Sequence, residues 1–521
     1  MLLTNPASLI SRFLRLVPLA LLSACTTLGP DYEQPQAPWL AQWRTSLYGL
    51  SESTQQRNEN ELRFWWQLFN DPQLNRLIDI VRQENPGLRM AGLRILESRA
   101  QLGIADSSRY PQLQQLGSSV SYVNTRDQGG ALGDSSQSFT SYQLGFNLAW
   151  ELDFWGRFKR AVEAADAAYF AAISNQRDAQ VILVAQTADL YFSYRTLQQR
   201  IEIARNNSKI QKRSLEITEQ LYRKGQGSEL DLQQAKTQYL ATLASIPDLQ
   251  LGLIQTRNAL ATLLGRPPGE LTELQNLPQG LPRIENPRIE ALPAQRLLQR
   301  PDVRTAAWQV AAQSAQIGIA EADFYPSINL LGSLGWSGNT INGSPNTSLL
   351  TAGPSLTWHL FDHGRIANNV RVQDARLQLL IEQYQQTVLQ AAREIDDAAY
   401  SVIKRQEQQA ILHDSVVAAE RSLEIASKRY REGYSGFQRV LDAQRAVATQ
   451  ADRELANQGS HISAVIALYK AMGGGWIETP NEALISDSTR ETMQQRTDWG
   501  DLLNAPLPTQ ESPVTEASTH E

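Results

Sequence analysis

Five histidines and one cysteine are the side chains of this 521-residue chain that most often serve catalysis or metal binding. His359 and His363 are four residues apart, which suits two metal ligands on one helix face. They fall instead at the end of a predicted strand and in the turn after it, so we do not expect a metal site. Gly225-Gln226-Gly227 is too short for a phosphate loop and is better explained as the turn of a helical hairpin. The sequence shows no Ser/His/Asp motif, P-loop or cysteine pair. We therefore do not expect this protein to be an enzyme or to bind a cofactor.

Cys25 follows a segment typical of secretory signal peptides. Arg12 and Arg15 precede the apolar run LVPLALL, which leads into the small residues of LSAC. LSAC resembles a bacterial lipobox, which implies a signal peptide over residues 1–24, cleavage before Cys25 and acylation of its thiol. As the only cysteine, Cys25 has no disulfide partner in the chain. The same resemblance implies that Asp after the cysteine would favour retention in the inner membrane; Thr26 stands there instead, so the outer membrane is the expected location.

The charge pattern gives no indication of a nucleic-acid partner. The formal net charge is −6, and both signs are interspersed without a basic block.

No apolar run approaches the roughly 18–20 residues that a membrane-spanning helix needs. Any crossing of a membrane therefore has to use another kind of element.

The chain carries an internal duplication. NPGLRMAGLRILESRAQLGIADSSRYP (85–111) and RPDVRTAAWQVAAQSAQIGIAEADFYP (300–326) have the same length and the same proline positions. Each copy predicts a helix that begins at Pro and ends before Tyr-Pro, since proline suits the first helical turn and stops a helix elsewhere.

Beyond each Tyr-Pro the hydrophobic period changes to two, which predicts strands. Residues 142–152 alternate strictly between apolar and polar side chains, and 350–360 repeat the pattern. We expect two hairpins, 111–153 and 326–362. Strands of 10–12 residues would reach about 33–40 Å, enough for a tilted membrane strand. Strands of a soluble sandwich are the alternative, but Trp and Tyr on the apolar face of an exported lipoprotein favour the membrane.

Each hairpin is followed by a long helical pattern with no proline and no internal glycine. We predict long helices over 157–224 and 364–432, with apolar residues at sevenfold spacing that indicate supercoiled packing. In the first helix these are Val162, Tyr169, Leu183, Leu190, Leu197 and Ala204, and in the second Val370, Leu377, Tyr384, Ala391, Ala398 and Leu412. Return helices are expected over 228–264 and 436–472. Ser228 with Asp231, and Ser435 with Gln438, have capping-box spacing at their starts.

These elements divide the chain into six parts. They are a signal peptide (1–24), a lipid-anchored N-terminal segment (25–63), a first repeat (64–264), a Pro-rich linker (265–292), a second repeat (293–472) and a polar, loosely ordered C-terminal tail (473–521).

Taken in order and twice over, the motifs resemble the outer membrane factor family of TolC-like channels, in its lipoprotein branch. The motifs are FWWQLFNDPQLNRLI, RPDVR, FDHGR, and YREGY followed by VLDAQR. The resemblance implies a mostly α fold with a membrane β part, in which each duplicated chain gives four strands and long coiled helices. A homotrimer would form a 12-stranded β-barrel on an α-helical barrel. It implies a passive efflux duct in the outer membrane lipid that works with a periplasmic adaptor protein and an inner-membrane pump.

The resemblance also implies site residues. Asp231 and Asp442 match acidic positions at the periplasmic gate, and Arg439 could pair with an acid of a neighbouring hairpin. The adaptor-contact turns would include Lys224, Gly225, Gly433, Tyr434 and Ser435. Helix capping is the alternative role for Asp231, and a solvated helix face for Asp442. Ser435 replaces an Asp found in some lipoprotein relatives, which leaves the ion preference of the gate open.

A lipid-anchored structural or adhesive coiled-coil protein is the competing interpretation. Such a stalk has no use for a strand pair before each long helix. A periplasmic enzyme with helical arms is a weaker third option, because the sequence offers no site for it.

Overall fold

The computed structural model describes residues 27–41, 48, 62–127, 135–284, 294–339, 347–480 and 483–508. Cys25 lies outside these residues. The main elements are α1 (Pro72–Glu84), α2 (Pro86–Ser107), β1 (Leu113–Asp127), β2 (Ser135–Leu152), α3 (Arg157–Arg223), α4 (Glu229–Leu263), α5 (Pro301–Ala322), β3 (Ser327–Gly338), β4 (Thr347–Thr357), α6 (Arg365–Arg431), α7 (Gln438–Ala471) and α8 (Asp487–Arg496). Short 3₁₀ helices span Pro38–Ala41, Trp65–Phe69, Thr272–Leu274, Ala294–Gln299 and Gly500–Leu503.

The duplication predicted from the sequence is visible in the element order. Each half runs helix, β-hairpin, long helix and return helix, as α2-β1-β2-α3-α4 and α5-β3-β4-α6-α7. Pro86 and Pro301 occupy the first turn of α2 and α5, as predicted. Both helices stop a few residues before the strand that follows, because proline after tyrosine cannot continue them.

The four strands form one antiparallel sheet in the order β1-β2-β3-β4, so the two hairpins join through β2 and β3. Phe146 of β2 lies opposite Leu116 of β1 and Leu334 of β3, and Leu144 lies opposite Trp336. Since cross-strand partners point to the same side, the alternation in each strand gives one apolar face and one polar face. Much of the apolar face is exposed in the single chain, for example Leu116 and Leu350.

The long helices α3 and α6 are each 67 residues, or roughly 100 Å at 1.5 Å per residue. Both begin after a glycine with a left-handed backbone, Gly156 at φ 72° and Gly364 at φ 85°. Aspartates cap both starts. Asp153 accepts hydrogen bonds from the amides of Phe158 (3.1 Å) and Lys159 (2.8 Å), and Asp362 accepts from those of Gly364 (3.0 Å) and Ile366 (2.7 Å). No helix in the described ranges combines the length and hydropathy required to span a membrane.

The sevenfold set of α3 is buried only in part. Tyr169 is buried, whereas Leu183, Leu190 and Leu197 are half-buried. A second line at the same spacing is buried throughout its length and consists of Ala167, Ser174, Val181, Ala188 and Arg195. Both lines find partners because α3 packs against several helices, including α2, α4, α5 and α7. In α6 the predicted Tyr384, Ala391 and Ala398 are buried.

The largest apolar core lies around the middle of the long helices. It joins the N-terminal aromatic residues to α1, α3, α5, α6 and α7, and includes Trp65, Phe69, Leu74, Tyr191, Phe192, Val303, Val388, Ile395 and Val465. Trp65 stacks on Tyr469 with ring centroids 5.5 Å apart, and Phe69 packs on Phe192 at 4.6 Å. This core fixes the helices of the two repeats against one another.

A buried ion pair lies within this core. The carboxylate of Asp71 caps α1 by accepting from the amides of Gln73 (3.0 Å) and Leu74 (3.3 Å). It also accepts from the Tyr191 hydroxyl at 2.8 Å and from Arg195 at 2.5 Å. Both charged side chains are only 4% exposed. Arg195 further donates to carbonyl oxygens of the linker at residues 278 and 280, and so connects α1, α3 and the linker.

The expectation of a loosely ordered tail is wrong for residues 483–508. Leu484, Ile485, Met493 and Leu503 are buried, the last three in a cluster with Leu96 of α2. The chain passes so close to α2 that a Cβ added to Gly92 would lie 2.1 Å from the carbonyl oxygen of Leu484. This packing could not be predicted from the sequence, because the few apolar residues that form it are spaced among many polar residues.

Candidate functional site

The candidate site is formed by two tight turns at the ends of the long helices, residues 224–228 and 432–437, which we call the tip turns. In the first, Gly225 takes a left-handed conformation at φ 71°. The amides of Gln226 (2.9 Å) and Gly227 (3.1 Å) both donate to the carbonyl of Leu221 and close the end of α3. The hydroxyl of Ser228 then accepts from the amide of Leu230 at 3.1 Å, which confirms its predicted capping role.

The second tip turn starts like the first but ends differently. Gly433 is left-handed at φ 77°, and the amide of Tyr434 donates to the carbonyl of Arg429 at 2.8 Å. The predicted cap by Ser435 is wrong, because Phe437 occupies the N-cap position and provides no side-chain cap. Phe437 is buried, and its ring lies 5.1 Å from that of Tyr430. Apolar packing therefore fixes the start of α7.

An apolar cluster joins the two hairpins just above the turns. Its buried members are Ala235 of α4 with Phe437, Val440 and Leu441 of the second hairpin. Leu215, Leu423, Ala426 and Tyr430 pack against it from α3 and α6. All four long and return helices contribute, so the cluster packs the two hairpins of one chain against each other.

Asp231 lies in the first turn of α4 and is half-exposed. Burial together with the nearby Asp231 carboxylate raises the pKa of Tyr430. Asp231 therefore faces the second hairpin across the contact between the two. Within the described residues the Asp231 carboxylate accepts no hydrogen bond from the backbone amide of Ser228. Only one of the two hydrogen bonds of a capping box is therefore present.

Asp442 and Arg439 are both exposed on the first turns of α7. The Asp442 carboxylate accepts from the Gln438 amide at 3.1 Å and lies 3.5 Å from the Arg445 guanidinium. In the described part of the chain, no carboxylate lies within ion-pair distance of Arg439. Its pairing with a neighbouring hairpin stays a prediction.

The turn residues expected to contact a partner differ in exposure. Lys224, Gly225 and Gly433 are exposed, and Tyr434 is 74% exposed. Ser435 is only half-exposed, and its hydroxyl oxygen is buried with no hydrogen-bond partner among the described residues. The two glycine turns thus present backbone and one large aromatic side chain to solvent.

A polar cavity of about 590 Å³ lies between α3, α4 and α7 near the tip turns. Gln211 and Gln238, 4% and 7% exposed, line it together with Gln234. The side-chain oxygens of all three lack a hydrogen-bond partner in the described ranges. This cavity was not predicted from the sequence, although the amide-rich stretch LDLQQAKTQ at 230–238 is a visible signal for it.

His359 and His363 lie in the segment between β4 and α6. His363 lies in the turn before α6 with a left-handed backbone at φ 52°, and both histidines are exposed. In the described ranges, no three His, Cys, Asp or Glu side chains form a group suited to a metal ion.

Comparison with known proteins assigns most of the chain to one family. The model of the outer membrane efflux protein family matches residues 77–266 and 292–474. The probable outer membrane lipoprotein SilC of Salmonella typhimurium is 32% identical over 475 residues, which cover 88% of this chain and 97% of SilC. The cation efflux system protein CusC of Escherichia coli O6:H1 is 32% identical over 478 residues, or 89% of this chain and 99% of CusC.

Solved structures agree with the sequence relatives. The outer-membrane channel OprN has a TM-score of 0.74 at 33% identity and covers 86% of this chain and 99% of its own. A crystal structure of CusC, studied for its folding and transmembrane channel formation, has a TM-score of 0.75 at 28% identity. It covers 86% of this chain and the whole of CusC.

Proposed function

This chain belongs to the outer membrane efflux protein family, and we propose that it is the outer membrane channel lipoprotein of a tripartite efflux system. It acts as a passive duct rather than as an enzyme. The observation that carries the proposal is the junction of an amphipathic β-hairpin with a helix of roughly 100 Å, which occurs once in each half of the chain; the two hairpins together form the four-stranded sheet. Similarity to OprN, CusC and SilC supports it.

Three copies complete the membrane part. The sheet of one chain has four strands, so three chains supply twelve, and β1 of one chain pairs with β4 of the next. Closure is required because open strand edges are not tolerated in lipid. Exposed Leu116, Leu144, Leu350 and Leu356 then face the acyl chains. A lipid-anchored adhesive stalk, the alternative function, leaves this exposed apolar face without a role.

The helices of the three chains form a hollow α-helical barrel across the periplasm. Its lower end is the set of tip turns, where Lys224, Gly225, Gly433, Tyr434 and Ser435 contact a periplasmic adaptor. The adaptor connects the duct to an inner-membrane pump. At the other end, acylated Cys25 anchors the protein in the outer membrane.

The tip turns also form the gate. Asp231, Asp442 and Arg439 narrow the periplasmic mouth by charge and by contacts between hairpins. Support comes from the position of Asp231 against Tyr430 and from the solvent exposure of Asp442 and Arg439. Opening requires the apolar cluster that includes Phe437 to shift, and the amide-lined cavity beside it provides space for that movement.

Single-channel recording in planar bilayers tests the gate. Asp442→Lys places positive charge one turn from Arg439, and Asp231→Lys places it close to Tyr430 of the second hairpin, so repulsion between hairpins should raise the conductance. Asp248→Lys is the matched control, because Asp248 is an exposed acid of α4 remote from the turns. Unchanged conductance in both gate variants, or an equal rise in the control, would contradict the gate assignment.

A further inference from the structure

Residues 27–31, which follow Cys25 almost directly, are bound in a groove between the two repeats. We call these residues the N-terminal strap, and we call the groove formed by Gly156, Arg160, Ser314 and Gly318 the joint groove. The amide of Leu28 donates to the carbonyl of Trp155 at 3.1 Å. The hydroxyl of Ser314 donates to the carbonyl of residue 30 at 3.3 Å. The strap is therefore held by α3 of the first repeat and by α5 of the second.

Arg160 makes the central contacts of the joint groove. Its guanidinium donates to the carbonyl oxygens of Leu28 (2.9 Å) and Gly29 (3.1 Å), and to the carboxylate of Asp31 (2.8 Å). Glu163 of the same helix accepts the remaining bond at 2.8 Å. Arg160 is only 5% exposed with the strap in place, and three of its four hydrogen bonds go to the strap, so docking of the strap depends on this side chain.

Two glycines make room for the strap. A Cβ added to Gly318 would lie 2.4 Å from the carbonyl oxygen of Leu28. A Cβ added to Gly156 would lie 2.9 Å from the Cα of Thr27. Real Cβ atoms do not approach backbone so closely, so an alanine at either position would force the strap to move.

The duplication provides an internal comparison. Gly103 in QLGIAD corresponds to Gly318 in QIGIAE, and the glycine and asparagine of the second joint, Gly364 and Asn368, correspond to Gly156 and Arg160. A Cβ on Gly103 would meet nothing within 4 Å, and one on Gly364 would meet only the Asn368 side chain at 3.7 Å. The same joint exists twice, and among the described residues the first set holds a chain segment while the second does not.

We propose that the joint groove is a docking site for the lipidated N-terminus, which fixes the acyl chains of Cys25 at the level where β2 and β3 enter the membrane. Cys25 is two residues from Thr27 in the sequence, and two residues of extended chain span at most about 7 Å, so a docked strap limits how far the acylated end can move from the groove. Gly156 follows the end of β2 at Leu152, and α5 leads into β3. Since the groove joins both repeats, the docked anchor connects the two hairpins to the membrane surface. The inference rests on the proposed lipidation and membrane location.

Photocrosslinking from the anchor tests the position of the acyl chains. Cells are fed a photoactivatable palmitate analogue, and crosslinked residues of the purified full-length protein are mapped by mass spectrometry. Wild type and Gly103→Ala should crosslink mainly at the ends of β2 and β3. In Gly318→Ala the same sites should lose most of their crosslinks. Equal crosslinking in the two glycine variants, or no preference in wild type, would overturn the proposal.

Hydrogen exchange tests the groove independently of the lipid. Arg160→Gln removes charge-assisted bonds to two carbonyl oxygens, so the amide of Leu28 should exchange roughly 100-fold faster. Asp31→Asn should change it little, because the Asp31 side chain is 88% exposed and a surface ion pair contributes little. Unchanged exchange in Arg160→Gln would refute the docking role. Exchange in Arg160→Gln also tests the proposal if Gly318→Ala does not yield folded protein.

The mass of the N-terminal peptide separates the two claims. An unmodified Cys25 would contradict the proposed lipoprotein function, while exchange at Leu28 would still decide whether the strap is docked by Arg160. An acylated Cys25 with an undocked strap would contradict only the further inference.

Discussion

Replacement of Asp71 by alanine should be among the most destabilising single changes outside the tips. The Asp71 carboxylate accepts four hydrogen bonds, two from the first turn of α1, one from Tyr191 and one from Arg195. Its removal leaves the Arg195 guanidinium, 4% exposed, without its counter-charge. The α1 cap is lost at the same time.

The magnitude follows from these two losses. Breaking a buried ion pair costs about 3–5 kcal/mol and loss of an N-cap about 1 kcal/mol, so we expect about 4–6 kcal/mol. At about 2.1 cal/mol/K of unfolding entropy per residue, that corresponds to a fall in Tm of about 4–6 °C for a chain of this size. The ion pair of Arg200 and Asp452 is the matched control, because its side chains are 29% and 39% exposed. Asp452→Ala should cost about 0–1 kcal/mol.

Thermal unfolding followed by circular dichroism in detergent measures both variants. The double variant Asp71→Ala/Arg195→Met should recover most of the loss, since it removes the unpaired charge and fills the space with an apolar side chain. A fall of less than about 2 °C for Asp71→Ala, or a double variant less stable than the single one, would refute the reasoning.

Two further predictions concern the helices and the tail. Burial, with repulsion from Asp302, raises the pKa of Asp178 to about 6, above the usual value near 4. The folded state then binds the proton more tightly than the unfolded state, so stability falls as pH rises from about 4 to about 6. Asp178→Asn should raise Tm at pH 7.5 and change it little at pH 4; an equal effect at both pH values would contradict the assignment. Leu484→Asp places a charge at a side chain 3% exposed and should release residues 483–508 to proteolysis, whereas Leu502→Asp, at a side chain 37% exposed, should not.

Periodicity and duplication were sufficient to predict the main elements. Apolar alternation in residues 142–152 predicted the amphipathic face of β2, because a strand buries or exposes every second side chain. Proline positions predicted the starts of α2 and α5, since proline suits only the first helical turn. Such local rules hold where backbone geometry alone restricts the conformations that a residue can adopt.

Features that depend on packing between distant segments could not be predicted in the same way. The sevenfold spacing of Leu183 and its partners does not determine which side chains of α3 are buried, because that depends on how many helices surround it. The Asp71 and Arg195 partnership joins residues 124 positions apart, and no local pattern indicates it. Ser435 has capping-box spacing, yet burial of Phe437 decides where α7 begins.

The site was partly predictable for the same reasons. Gly225 and Gly433 follow helical patterns and are the residues that turns of positive φ require, so the tip turns could be located from sequence. The amide-lined cavity and the proximity of Asp231 to Tyr430 arise from the association of two hairpins. The docked strap likewise depends on Arg160 and Gly318, which are remote in sequence and meet only in the fold.

Single-particle imaging of the detergent-extracted, full-length protein tests the central claim most directly. The account predicts trimers in which a short barrel continues into a helical tube of roughly 100 Å with a through-axis cavity. Monomeric particles, or trimers without a continuous tube along the axis, would contradict it.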